Sequence, residues 1–108
     1  MDMKDPDTMT PCELDQAWGR MIGWDYSTGK GFYPTSLWED WGVHYEWMRG
    51  RGWKGSHTDQ NDGQVIWAWS KNRGKNRPKV IMAKGPDIRS ASLKSGLKAE
   101  RNHETKAT

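Results

Sequence analysis

Cysteine is almost missing from this chain. Cys12 stands alone among 108 residues, so no intramolecular disulfide can form and no cysteine metal cluster exists. That usage suits a reducing compartment, and a cytoplasmic location is expected. Aliphatic residues are also scarce, with four Ile, four Leu and three Val, and Phe32 is the single phenylalanine. No stretch approaches the roughly 20 apolar residues that span a bilayer, and the opening MDMKDPDTMTP has no apolar segment of the kind a secretory signal uses. A soluble protein with no membrane contact is expected. Catalytic patterns are missing too. His44, His57 and His103 lie far apart with no Cys or paired carboxylate at ligand spacing, so neither a metal nor any other cofactor is expected. His57, Asp59 and Asp62 share a polar turn, SHTDQNDG, that lacks the apolar cover an acid-base site needs. STGKGFY offers Gly29, Lys30 and Gly31, but it has neither the longer glycine spacing nor the hydroxyl residue after Lys that a phosphate-binding loop uses. A non-enzymatic protein is the expectation.

What is present is tryptophan and positive charge. Eight Trp must supply much of the buried area, since each buries roughly 150–250 Å². The net charge of +3 conceals a division: residues 1–62 sum to −5 and residues 63–108 to +8. Such polarity orients a charged partner without dictating a fold.

The length has room for one domain, expected over residues 10–99 with flexible tails at 1–9 and 100–108. Thr10, Pro11 and Glu13 form a capping box with proline at the first helical position, and Leu14, Ala17, Trp18 and Met21 recur at helical spacing up to Gly23. A helix over 11–22 is predicted. Asp5, Asp7, Glu13 and Asp15 complement the start of that helix better than they suggest a divalent-ion site. Ser36 and Glu39 suggest a second capping box, followed by Trp38, Trp41, Tyr45 and Met48 on one face, with Leu37 and Trp47 flanking. This predicts a helix over 37–49 that ends at RGRG.

A weak strand over WKGSH, a turn at TDQNDG, a strong strand over QVIWAWS and another over KVIMAK then read as a meander. Both strong strands are apolar without interruption, which predicts cover on both sheet faces. Asp87 caps a last helix over 87–99, with Ile88, Ala91, Ser95 and Ala99 along one side. The predicted fold is α+β: a three-stranded antiparallel meander sandwiched between helices, in the order α-α-β-β-β-α.

Three segments carry a resemblance: ELDQAWGRMIGW near the start, the Trp-rich second helix, and IRSASLKSGLKA at the end. With the element order they resemble the phage ABA sandwich domain, a family of small bacteriophage proteins, over roughly residues 10–99. The resemblance implies a helix-sheet-helix sandwich of phage or prophage origin, acting in the cytoplasm of a bacterial host, and it implies no reaction. The Ser-rich third helix and the short loop between the first two helices depart from the family pattern.

The candidate binding site is WAWSKNRGKNRPKV, where Lys71, Arg73, Lys75, Arg77 and Lys79 occupy every second position. Five cations on an exposed hairpin loop match up to about five phosphates, and Asn72 and Asn76 add hydrogen-bonding groups. The plainer alternative is a solvated turn whose charges protect a sheet edge. Trp67 and Trp69 are read as core rather than as base-stacking platforms. Arg89, Lys94 and Lys98 extend the basic surface if the third helix lies beside the hairpin. Nucleic acid is the first expected partner, and a monomer is the default. The rival is an inhibitor of a host bacterial protein, with Trp24, Tyr26, Phe32 and Tyr33 as interface anchors.

Overall fold

Thr10 starts the first helix as its capping box predicts. Its hydroxyl accepts from the Glu13 N–H while the Glu13 carboxylate accepts from the Thr10 N–H, and Gly23 closes the helix at φ 78°. The computed structural model describes residues 4–106, apart from the side chains of residue 73 and residues 102–106. Its elements are α1 (Pro11–Ile22), α2 (Trp38–Gly50), β1 (Lys54–Asp59), β2 (Val65–Arg73), β3 (Asn76–Gly85) and α3 (Ile88–Lys106), with short 3-10 turns at Pro6–Thr8 and Tyr26–Thr28. No described helix is long and apolar enough to cross a membrane.

The strands form one antiparallel sheet in the order β1-β2-β3, so the α+β class and the meander are as predicted. Trp67 pairs with His57 and Ala83, and Trp69 with Gly55 and Ile81. Gly55 is required there: a Cβ would lie 2.3 Å from Cζ2 of Trp67, so only glycine lets that indole cross β1.

The predicted cover on both faces is not found. Strand alternation sends Val65, Trp67, Trp69 and Ala83 inward, all buried. It sends Val80 and Met82 outward, where they are 50% and 58% exposed. Apolar residues run unbroken through β2 and β3, yet only one face is packed. The helices gather on that face because the indoles there supply the area: a buried Trp is worth about 4–6 kcal/mol of transfer free energy at ~25 cal/mol per Å². Val80 and Met82 remain in water at modest cost.

α3 is the central helix of that layer, packing on β2, β3, α1 and α2. This explains why two of its sides are buried, the predicted one with Ala91, Ser95 and Ala99 and a second with Leu93 and Leu97. Its serines and Gly96 let indoles approach the backbone. Nε1 of Trp69 donates to the Ser92 carbonyl at 3.0 Å, Nε1 of Trp18 to the Leu93 carbonyl at 2.9 Å, and Nε1 of Trp41 to the Ser92 hydroxyl at 2.7 Å. The Ser95 hydroxyl turns back to the Ala91 carbonyl at 2.9 Å. A polar composition thus makes a buried helix, because the Ser92 and Ser95 hydroxyls and the indole N–H groups of Trp18, Trp41 and Trp69 all find partners. Asp87 caps the helix through the Ser90 N–H, and α3 runs on to Lys106 rather than stopping at 99.

α2 departs from its predicted start and face. Leu37, not Ser36, is the N-cap, and no side chain caps it, because Ser36 and Leu37 both donate to the Tyr33 carbonyl in the preceding turn. The innermost residues are Asp40, His44 and Met48, while Trp38 is 56% exposed. Asp40 turns the helix: its carboxylate accepts from the Tyr33 N–H at 2.8 Å. His44 then stands edge-on to Trp18, with ring centroids 4.5 Å apart, and Trp41 and Tyr45 flank it against Trp67.

Candidate nucleic-acid interface

The basic run is not a loop. The β2–β3 ladder continues through it, pairing Lys71 with Lys79 and Arg73 with Asn76, and leaves only Gly74 and Lys75 to turn. Gly74 takes φ 63°, a conformation glycine reaches without a Cβ clash and one that suits a two-residue hairpin. A register shift between Lys71 and Arg73 marks a bulge, which sharpens the local twist. Pro78 is tolerated because β3 is an edge strand. β1 pairs no further than Ser70, so from Lys71 onward β2 has only β3 beside it. The five cations therefore sit on a two-stranded ribbon that extends beyond the three-stranded sheet.

The root of the ribbon rests on Trp53, which is 1% exposed. Nζ of Lys71 lies 5.3 Å from the ring centroid and Nζ of Lys79 5.9 Å. Nε1 of Trp53 donates to the Glu100 carboxylate at 3.1 Å, and Nε of Arg51 donates to the same oxygen at 2.9 Å. Glu100 is itself buried. The guanidinium of Arg51 lies 4.8 Å from the ring of Trp47. A buried carboxylate and an indole face thus hold cations at the base of the ribbon, while Lys75 and Arg77 are exposed nearer its tip. The side chain of Arg73 lies outside the described residues.

Charge is ordered along the sheet. Asp59 ends β1 opposite Val65, and Asp62 lies in the turn that follows, at the end of the sheet away from the ribbon. The carboxyl of Asp62 is held below the usual range by the Lys84 ammonium at 2.6 Å and by the Gln64 N–H. Two carboxylates stand at this end, one of them paired with Lys84, and the five cations of the ribbon stand at the other.

α3 does not extend the basic surface as expected. Arg89 lies over the Trp38 ring at 4.6 Å and donates to the Ser36 carbonyl. Lys98 is paired with Asp7 at 2.6 Å, and Lys94 is half-buried. What α3 brings to the ribbon root is Glu100, a residue sequence reasoning passed over. Its only signal was that it is one of three carboxylates in a basic half.

The four aromatic interface candidates divide. Phe32 is buried and stacks on half-buried Trp24 at 4.6 Å, whose Nε1 donates to the Lys30 carbonyl. Those two pin the loop and present little to a partner. Tyr26 and Tyr33 are exposed and line a cleft of ≈ 530 Å³ with Cys12, Asp15 and Gln16. Burial pushes the Asp15 carboxyl up against the opposing effect of two hydrogen bonds from Thr35, and the charge of Asp40 adds to the rise. Leu37, whose N–H donates to the Tyr33 carbonyl, and Trp38 are exposed as well, although helical spacing put Trp38 on the inward face.

The remaining candidates with described side chains stand apart from one another. His57 is exposed and stacks on Trp67, away from the Asp62–Lys84 pair. Among the described residues no three of His, Cys, Asp and Glu gather as metal ligands, and the side chain of His103 lies outside them. His44 is fully enclosed by aromatic rings, and neither ring nitrogen has a hydrogen-bond partner. Desolvation pushes its pKa down to about 3. No family model, curated protein or solved structure matches the chain.

Proposed function

We propose that this chain is a small non-enzymatic binding protein whose β2–β3 ribbon holds an anionic polymer, nucleic acid before any other. The observation that carries the reading is the run Lys71, Arg73, Lys75, Arg77 and Lys79 on a ribbon that projects past β1, with the acidic turn at the far end of the sheet. A solvated turn needs no such separation of charge. Phage or prophage origin, with work in the host cytoplasm, is proposed on the resemblance of the three quoted segments to the phage ABA sandwich family, from which the one-sided packing of the sheet departs. A gel-shift titration at low and moderate salt tests the reading. Replacing Lys71, Arg73, Lys75 and Arg77 by Ala is expected to abolish binding, and binding that persists unchanged removes the ribbon as the contact surface.

A second reading rests on a different observation. Tyr26, Tyr33, Leu37 and Trp38 are each about half exposed, an apolar and aromatic region of the composition that protein interfaces favour. It would act as an inhibitor of a host protein, in defence or transcription. A pull-down from host lysate with and without nuclease separates the two: a partner retained after nuclease and lost with Trp38→Ala supports the inhibitor.

A further inference from the structure

We infer that the nucleic acid is B-form duplex DNA, entered through its major groove by the β2–β3 ribbon. This rests on the nucleic-acid reading above and narrows it by shape. The three steps from Lys71 to Gly74 at about 3.4 Å each give the ribbon a reach of roughly 10 Å. The major groove of B-DNA is about 12 Å wide and about 8.5 Å deep, and it admits a two-stranded ribbon. The ribbon is long enough to touch the groove floor while its root meets the phosphates.

Single strands are bound by a different device, aromatic rings on which bases stack. The ribbon offers none. Trp53, Trp67 and Trp69 are 1%, 5% and 0% exposed, held by their contacts with α2 and α3. The exposed rings lie elsewhere: Trp38 is against Arg89 at the start of α3, and α3 begins just after Gly85, which pairs with Val65 at the end of the sheet away from the ribbon. Duplex RNA is disfavoured by its deep, narrow major groove, which side chains cannot read.

The residues on the ribbon suit a groove as well. Lys71 and Lys79, at the root, stand where the flanking phosphates pass. Asn72 and Asn76 lie between the cations, and an Asn amide matches the adenine edge in the major groove.

The test uses the full chain and fluorescently labelled oligonucleotides of one sequence: duplex DNA, its single strand, and duplex RNA. Anisotropy is read at about 50 and about 200 mM salt. Duplex DNA is expected to bind at least about tenfold tighter than the other two. Its log–log salt slope should lie near −3 to −5 for about four or five phosphate contacts. Lys71→Gln, at the root where the phosphates pass, is expected to reduce that slope by about one. Dimethyl sulfate footprinting should show protection of guanine N7, the major-groove atom. Equal or tighter binding to the single strand or to duplex RNA, or protection of adenine N3 alone, overturns the duplex-groove inference and leaves nucleic-acid binding standing. Failure to bind any of the three overturns both.

Discussion

Lys71 and Lys79 face each other directly across the β2–β3 pair, and both ammonium groups lie over the indole of Trp53. Like charges opposite one another on a sheet cost roughly 0.2–1 kcal/mol, and a cation over an aromatic face returns about 0.5–1 kcal/mol. The two nearly cancel. Lys71→Gln is therefore expected to change stability by less than about 0.5 kcal/mol. Trp53→Leu loses ring volume and one donor to buried Glu100, and is expected to cost about 2–4 kcal/mol. Urea denaturation measures both. A loss above about 1.5 kcal/mol for Lys71→Gln would make that lysine part of the scaffold.

His44 links stability to pH. Its folded pKa, about 3, lies below the ordinary 6.5, so the unfolded chain takes up the proton first. The stability it permits is complete above pH 6.5 and declines as pH falls towards 3, by about 1.4 kcal/mol per pH unit once well below 6.5. Asp15, whose pKa is raised by burial, acts in the opposite sense, so the wild-type curve alone is ambiguous. The difference between wild type and His44→Leu isolates the histidine. That difference should shift steadily in favour of the variant between pH 6.5 and pH 4, and a flat difference rejects the orphaned imidazole.

Two helical glycines should respond with opposite signs. A mid-helix Gly→Ala change ordinarily stabilises by about 1 kcal/mol. Gly42 has nothing within 4 Å of the site of a Cβ, so Gly42→Ala should follow that rule. At Gly96 a Cβ would lie 2.5 Å from Cζ2 of Trp18, and that ring is tied to the Leu93 carbonyl. Gly96→Ala is expected to destabilise by about 1–3 kcal/mol through overpacking. Thermal melts of the two variants should move in opposite directions.

The open sheet face makes its own prediction. Val80→Thr and Met82→Lys replace apolar groups already half in water, and each should alter stability by no more than about 0.5 kcal/mol. Ala83→Lys, one residue along and 5% exposed, forces a charge against the indole layer and should unfold the domain. Circular dichroism distinguishes the two results. Strong destabilisation by Met82→Lys would mean that the outer face is covered after all.

Local chemistry was legible in the chain itself. The capping box of Thr10 and Glu13, the left-handed Gly23, the cap at Asp87 and the meander all rest on neighbours within a few residues, and short-range geometry decides them. The burial of Trp67 and Trp69 was legible as well, because an aliphatic-poor chain has little else to enclose. Tertiary structure alone decided which face of the sheet is wet, since an unbroken apolar strand reads the same whether one or both faces are packed. It also turned α2 onto Asp40 and His44, through a hydrogen bond to Tyr33 that no periodicity encodes. And it made the basic run a ribbon rather than a loop: alternation of charge looks alike in both, and the difference lies in how far β2 and β3 keep pairing past the end of β1.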